Sequence, residues 1–458
     1  MRKAGIFLLG VVPVVLLLSF SAMNPPKVKA VPSYARQTGL PCSGCHYTPP
    51  ELNPAGRRFK LTGYVDRADE TKTVKAEGNK KRAALDLLAS LPLSVMLDTS
   101  YTSTKSPVPT TQNGSFEMPQ DISLFLSGAW TSHLGSFLQV TYNTHSDHFS
   151  MDNTDIRYAN TTKLGDKEFV YGIDLNNNPT VEDLWNTTPA WSYPWIASDW
   201  APTPNASPLI NGGLAQDVGG IGVYGMWNNH LYLDASIYRS QHVGAAQPFL
   251  GTGATNIRGL APYWRLAWQQ LTAKTQYEFG TYGMHVRATP NAITAADGSH
   301  LAVQDSYTDW AVDTQIDRTM FRTDVLSFRA TYIRENSDLL ATLAAGGAAQ
   351  GSHHLNTVLA NAEYHIGNKY TGTLGWFNTT GTSDATLFPS GAVAGNFNGD
   401  PRGAGYIVNF TYWPWQNLLL GAQYTGYTRF NGAQYNYDST GRNANSNNTI
   451  YLDAKIIF

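Results

Sequence analysis

The last ten residues, Thr449-Ile450-Tyr451-Leu452-Asp453-Ala454-Lys455-Ile456-Ile457-Phe458, decide how the rest of the chain is read. Ile450, Leu452, Ala454, Ile456 and Phe458 fall on one face of an extended strand, and Tyr451, Asp453 and Lys455 on the other. Side chains alternate across a strand with period two, so one face of this segment is apolar and the other polar. The pattern recurs upstream. Leu231, Leu233, Ala235 and Ile237 alternate with Tyr232, Asp234, Ser236 and Tyr238. Leu418, Leu420, Ala422 and Tyr424 alternate with Leu419, Gly421, Gln423 and Thr425. One such window is weak evidence, and many in series describe an all-β chain.

Sixteen candidate strands begin near residues 91, 120, 136, 154, 167, 213, 230, 258, 271, 303, 319, 352, 368, 402, 417 and 446. Tight turns are expected around 132–135, 164–167, 228–229, 269–270, 316–318, 366–369 and 414–417. Longer loops occupy about 104–118, 145–153, 176–212, 240–257, 288–302, 335–351, 379–401 and 429–445. Short and long connections alternate, as in an antiparallel transmembrane β-barrel with brief periplasmic turns and long extracellular loops. An even strand count leaves both termini in the periplasm. The alternative is a soluble β-sandwich or propeller that ends on a core strand. An apolar strand face closed by a terminal Phe resembles the signal read by the barrel-assembly machinery.

Composition agrees. Of 458 residues only 14% are charged, against roughly 25% in an ordinary soluble domain. The hydrophobic share is 42% and aromatics reach 12%, with 25 Tyr. A barrel strand divides its residues between lipid and a polar lumen, so neither class dominates. A net charge of −2 argues against nucleic acid as a partner, and abundant Trp and Tyr argue against disorder. At the N-terminus, Arg2 and Lys3 precede an apolar stretch from Ala4 to Phe20, and Val28-Lys29-Ala30 offers a small-x-small cleavage site. This order reads as an export signal over 1–30. A membrane anchor is the other reading, opposed by the short apolar stretch and by Pro13.

The only two cysteines fall in Cys42-Ser43-Gly44-Cys45-His46. C-x-x-C-H is the attachment signature of c-type haem. Two thiols three residues apart each reach one haem vinyl group, and the adjacent imidazole becomes the proximal iron ligand. A thioredoxin-like pair would require a βαβ context, and a zinc site would require further ligands nearby, whereas the next histidine is His133. A disulfide closing so small a loop stabilises little.

Two segments flank this motif: Val31-Pro32-Ser33-Tyr34-Ala35-Arg36-Gln37-Thr38-Gly39 before it, and Pro50-Glu51-Leu52-Asn53-Pro54-Ala55-Gly56-Arg57-Arg58-Phe59-Lys60 after it. Together with the motif they resemble the N-terminal cytochrome of the fused monohaem cytochrome–porins of iron-oxidising bacteria. Asn176-Asn177-Asn178-Pro179-Thr180 and Trp185-Asn186-Thr187-Thr188-Pro189-Ala190-Trp191 are similar to a segment of their porin part. The resemblance is close over the cytochrome and mainly architectural elsewhere. It implies a bacterial outer-membrane protein with one covalent haem c, which carries electrons across the membrane, often from extracellular Fe(II). A periplasmic electron carrier would be its partner on the inner side.

The expected organisation is therefore a signal over 1–30, a monohaem cytochrome segment over 31–88 and a porin-like barrel over 89–458. The cytochrome segment is short and basic: Arg57, Arg58, Lys60, Arg67, Lys72, Lys75, Lys80, Lys81 and Arg82 crowd residues 57–82. So small a piece is a poor candidate for enclosing a haem unaided, and a barrel lumen would supply the missing walls if the segment were a plug. In the first strand Leu91, Leu93, Val95 and Leu97 should face lipid, and Ser94, Met96, Asp98 and Ser100 the lumen. Met96 is then a candidate distal iron ligand, or else it only packs against the plug. Arg57, Arg58 and Lys60 are candidates for haem propionates, or form a solvated basic face. His145, His148, His353 and His354 give no trusted metal spacing. Loop 176–212 holds four Trp with Glu182, Asp183 and Asp199, and no Lys or Arg. It reads either as a packed lid or as an acidic attractor for Fe(II). Three functions follow: an electron conduit in either direction, with Fe(II) or another small donor outside; a solute porin plugged by its haem; or a haem enzyme, for which no distal acid–base pair is visible.

Overall fold

The computed structural model describes residues 33–65, 92–109, 111–241, 255–290, 303–321 and 323–458. The export signal, Leu91 and the basic residues from Arg67 to Arg82 lie outside these. Strands from Leu93–Thr104 to Thr449–Ile457 pair antiparallel with their sequence neighbours. The first strand also pairs with the last, from Met96 opposite Ile457 to Thr104 opposite Thr449, which closes the sheet. Of seventeen strand segments, Thr255–Ile257 and Ala261–Leu271 both lie against Thr275–Pro290. They occupy one position around the ring, so the barrel has sixteen. Closure leaves no open edge, which is what allows β-structure to cross lipid.

The period-two reading sets the two faces. Tyr232, Asp234, Ser236 and Tyr238 are buried in the interior, whereas Leu233 and Ile237 are 53% and 41% exposed on the outside. Ile450, Leu452 and Ile456 face outward and Tyr451 and Asp453 inward. In the first strand Ser94, Asp98 and Ser100 point inward, as their phase requires. The outer surface is thus a continuous apolar coat, including Trp264, Trp268, Phe279 and Trp310.

Seven tight turns, at 130–133, 165–166, 228–230, 272–274, 320–324, 367–369 and 416–417, share one end of the barrel with the start of the first strand and the end of the last. Asn228 and Asn229 take φ of 51° and 54°, the left-handed pair of a type I′ turn, which His230 N closes on the Trp227 carbonyl at 3.0 Å. The expected turns at 269–270 and 316–318 instead lie inside the strands Ala261–Leu271 and Asp305–Thr319. Gln269 and Asp317 are buried, lumen-facing positions, and their polarity belongs to the barrel interior. The expected loop 145–153 shrinks to 144–147, because Phe149 and Met151 continue the outward apolar face.

The lumen is occupied from two directions. The helices Ser33–Thr38 and Pro54–Leu61, with the turn Cys42–Gly44 between them, sit inside the barrel as a plug. Hydrogen bonds tie the plug to the wall on several sides. Ser33 N donates to Ser94 Oγ (2.6 Å), Tyr64 Oη to Asp155 (2.6 Å), Arg57 to Asp317 (3.2 Å) and Arg58 to Glu168 (3.2 Å), and Arg329 pairs with Glu51. Loop 177–217 folds inward from the opposite end and meets the plug, where Lys60 Nζ donates to the carbonyls of Val181 (2.6 Å) and Asp183 (2.7 Å). Burying so many ions costs several kcal/mol each unless each is paired. The pairing is correspondingly dense: Arg157 with Asp155 at 2.8 Å, and Arg265 with Asp183, Glu278 and Asp313 at 2.8–3.2 Å.

Candidate functional site

The segment Cys42–His46 is shaped by its own backbone. Cys45 N and His46 N both donate to the carbonyl of Cys42 (3.1 and 3.0 Å), which coils the two thiols onto one turn. Asn53 fastens this turn to the following helix. Its Oδ1 accepts from Ala55 N and Gly56 N (3.0 Å each), capping Pro54–Leu61, while its Nδ2 donates to the carbonyls of Ser43 and Gly44 (3.2 and 3.1 Å). The Asn-Pro pair is a helix-start signal with proline in the first turn. That signal was present in the sequence, but the double use of the asparagine was not readable from it. Gly56 brings the helix against the turn so closely that a Cβ would stand 2.2 Å from the Cys45 carbonyl oxygen. After the helix, Gly63 takes φ of 73°, which lets the chain turn back toward Tyr64.

His46 Nδ1 lies 3.2 Å from the carbonyl oxygen of Glu51, so a proton there leaves Nε2 free. Burial lowers the imidazole's pKa and favours its neutral form, partly offset by that carbonyl. Burial alone would raise the Glu51 carboxyl, but Arg329 and then His365 overcome it and hold it well below its usual range. Burial raises the Cys42 thiol. Neither cysteine is in a disulfide.

Cys42, Cys45 and His46 open onto a cavity of about 440 Å³ between the plug, the wall and the inward loop. Met96 from the first strand lines the same cavity, with Phe125, Phe137, Trp191 and Trp195 as aromatic walls. Tyr34, Phe59 and Tyr64 pack against one another beside it at centroid separations of 4.9–5.9 Å. The volume lies within the roughly 300–1,000 Å³ of cofactor clefts, which are mostly apolar with a few placed polar groups. Two thiols on one turn, an imidazole that directs its Nδ1 to a carbonyl and a thioether on the same cavity form a donor set that fits haem c. Cys42 Sγ is 3.4 Å from the carbonyl of Gln416, so the cavity sits at the short-turn end of the barrel.

Arg57 and Arg58 do not line this cavity. They border a separate cleft with Glu168 and Gln269, and their guanidinium groups are engaged by Asp317 and Glu168. Lys60 of the plug does reach it, with Nζ 4.7 Å from the Trp191 ring centre, as does Lys455 of the last strand. Burial, together with the Arg157 cation, brings this ammonium down to about 7. Loop 177–217 is the packed lid of the two readings. Trp185 is 1% exposed, Asp183 pairs with Arg265, and Glu182 accepts from Tyr263. Those two carboxylates are committed inside the barrel and do not form an acidic outer surface. His353 bonds Asp384 (3.0 Å), His354 bonds Thr382 (2.8 Å) and His145 packs on Trp200, so these histidines share no site.

No protein-family model matches the chain, and no curated protein does. Among solved structures the chain is similar to the outer-membrane channel DcaP of Acinetobacter baumannii, with 12% identity, a TM-score of 0.45, and coverage of 80% of this chain and 96% of that one. An anion-selective porin from Comamonas acidovorans gives 9% identity and a TM-score of 0.45, with 80% and 98% covered. OmpF of Salmonella typhi gives 13% and 0.43, with 80% and 97% covered.

Proposed function

We propose that this chain is an electron conduit of the bacterial outer membrane, built as a plugged barrel around one covalent haem c. The observation that carries the reading is the shared cavity of Cys42, Cys45, His46 and Met96. Cys42 and Cys45 would hold the haem by thioether bonds, His46 Nε2 would ligate the iron and Met96 Sδ would be the distal ligand. Bound there, the haem supplies one-electron redox chemistry, and His/Met ligation raises its potential toward that of an electron acceptor. The chain's own residues position and insulate. Glu51 O fixes the His46 ring, Asn53 holds the thiol turn on the helix, and Phe125, Phe137, Trp191 and Trp195 exclude water. On the barrel pattern the short-turn end would be periplasmic, where the cavity would face a periplasmic carrier. Extracellular Fe(II), or another small donor, would deliver electrons from the long-loop side.

The second reading, a solute porin plugged by its haem, keeps the same barrel, with the plug and loop 177–217 meeting in its lumen. Proteoliposomes separate the two. With Fe(II) outside and a soluble cytochrome enclosed, the conduit reduces the enclosed cytochrome without releasing a trapped sugar. Sugar release without reduction would establish the porin instead.

A further inference from the structure

A second cluster joins the plug to the wall and touches the haem site only through the Glu51 main-chain carbonyl and Trp195. Among the described residues, Glu51, Glu363 and His365 are the group whose donor atoms all lie within 4.8 Å of one another, and all three are buried. His365 Nε2 stands 3.4 Å from Glu51 Oε2 and 3.8 Å from Glu363 Oε2. None of these three atoms has a hydrogen-bond partner outside the cluster. Their opposite atoms are all engaged. Arg329 holds Glu51 Oε1, and Glu363 Oε1 accepts from Arg329 (3.2 Å), Asn361 (2.6 Å) and Trp195 (3.1 Å). His365 Nδ1 bonds Thr371 Oγ1 (3.0 Å), which in turn bonds Thr48 Oγ1 of the plug (2.6 Å).

We propose that Glu51, Glu363 and His365 bind one divalent first-row metal ion, which clamps the plug to the barrel wall. Three observations converge. A histidine whose Nδ1 proton is directed to a neighbour presents a bare Nε2, and carboxylates with their outer oxygens bonded present the inner ones; this is the outer shell of metal sites. Two carboxylates and one guanidinium leave a net charge of −1, so a cation is called for between them. A proton on Nε2 would make charge-assisted bonds of about 2.7–2.9 Å, shorter than the separations found. Donors held at about 2.0–2.2 Å around a tetrahedral ion stand roughly 3.3–3.6 Å apart, close to them. Two carboxylate oxygens and one imidazole suit zinc, ferrous iron or manganese better than a soft ion.

The test uses the full chain purified in detergent and stripped with chelator. Zinc is the probe, because it is redox-inert and does not report on haem. Equilibrium dialysis should return one zinc per chain, with X-ray absorption at the zinc edge showing a shell of nitrogen and oxygen only. Glu363→Gln and His365→Gln should each weaken binding by more than about tenfold, with Arg58→Gln unchanged. No retained zinc, a shell containing sulfur, or retention undiminished in both variants overturns the proposal. If either variant fails to fold, the shell of the unaltered chain decides.

Discussion

Gly56→Ala sets two magnitudes of opposite sign against each other. Alanine is favoured over glycine in a helix interior by about 1 kcal/mol, so propensity alone predicts that the variant is more stable. The added methyl would stand 2.2 Å from the Cys45 carbonyl oxygen and 3.0 Å from Leu52 Cδ2. Ordinary C···O contacts begin near 3.3 Å, so the helix and the thiol turn must separate by roughly 1 Å. The obstructing atom is backbone, held in place because Cys45 O also accepts from Asn53 N at 2.9 Å. Overpacking of this kind costs about 1–3 kcal/mol, which outweighs the gain in propensity. The expected net result is a plug less stable by up to about 2 kcal/mol and a lower haem content per chain. The assays are protease resistance of the plug in intact barrels and haem per chain in purified protein. Ala55→Gly, at an exposed position one residue away, should lose about 1 kcal/mol through propensity yet keep its haem. Gly56→Ala at or above the unaltered chain in both assays would refute the reasoning.

Met96→Ala should abolish any sulfur-to-iron band at the red edge of the visible spectrum and leave the barrel's thermal unfolding nearly unchanged; an unaltered spectrum rejects Met96 as ligand. Arg329→Met removes the cation between Glu51 and Glu363 and leaves two buried carboxylates uncompensated. The cost should be about 3–5 kcal/mol in metal-free buffer, read as early release of the plug on heating, and a loss below about 1 kcal/mol would contradict the charge accounting. Asp384, in loop 382–402, accepts from the backbone of Leu387, Ala349 and Thr386 and from His353, which outweigh burial and bring its carboxyl down to about 2. A depressed carboxylate contributes stability above its unfolded value of 3.8 that is lost as pH falls through about 2. Proteolysis of this loop with an acid-stable protease should therefore be slow at pH 4 and fast at pH 2, and equal rates would reject the assignment.

The barrel was legible because its physics is local. Strand period and connection length are written residue by residue, and Leu233 against Asp234 is enough to tell lipid from lumen. The two misplaced turns share one cause. Gln269 and Asp317 are polar, and a sequence cannot distinguish a polar residue facing a turn from one facing a polar lumen. The plug was inferred from a shortage of core, and its docking partners were not readable at all. Arg57 meets Asp317 across 260 positions, and Arg329 meets Glu51 across 278. Such pairs follow from closure of the sheet, which no window of sequence contains. Arg57 and Arg58 drew attention for their charge, but helix phase turned them to the wall and left Lys60 on the cavity. Cys42, Cys45 and His46 come together on one cavity because they are neighbours in sequence, and Met96 joins them because its strand phase turns it inward.

Mixing the purified, haem-loaded chain anaerobically with Fe(II) while following the haem absorption bands tests the electron conduit itself. The expected outcome of an electron conduit is conversion to the reduced c-type spectrum, lost when Cys42 and Cys45 are both replaced by Ala. A haem that stays oxidised at every pH tried, or a chain that never acquires covalent haem, would contradict it.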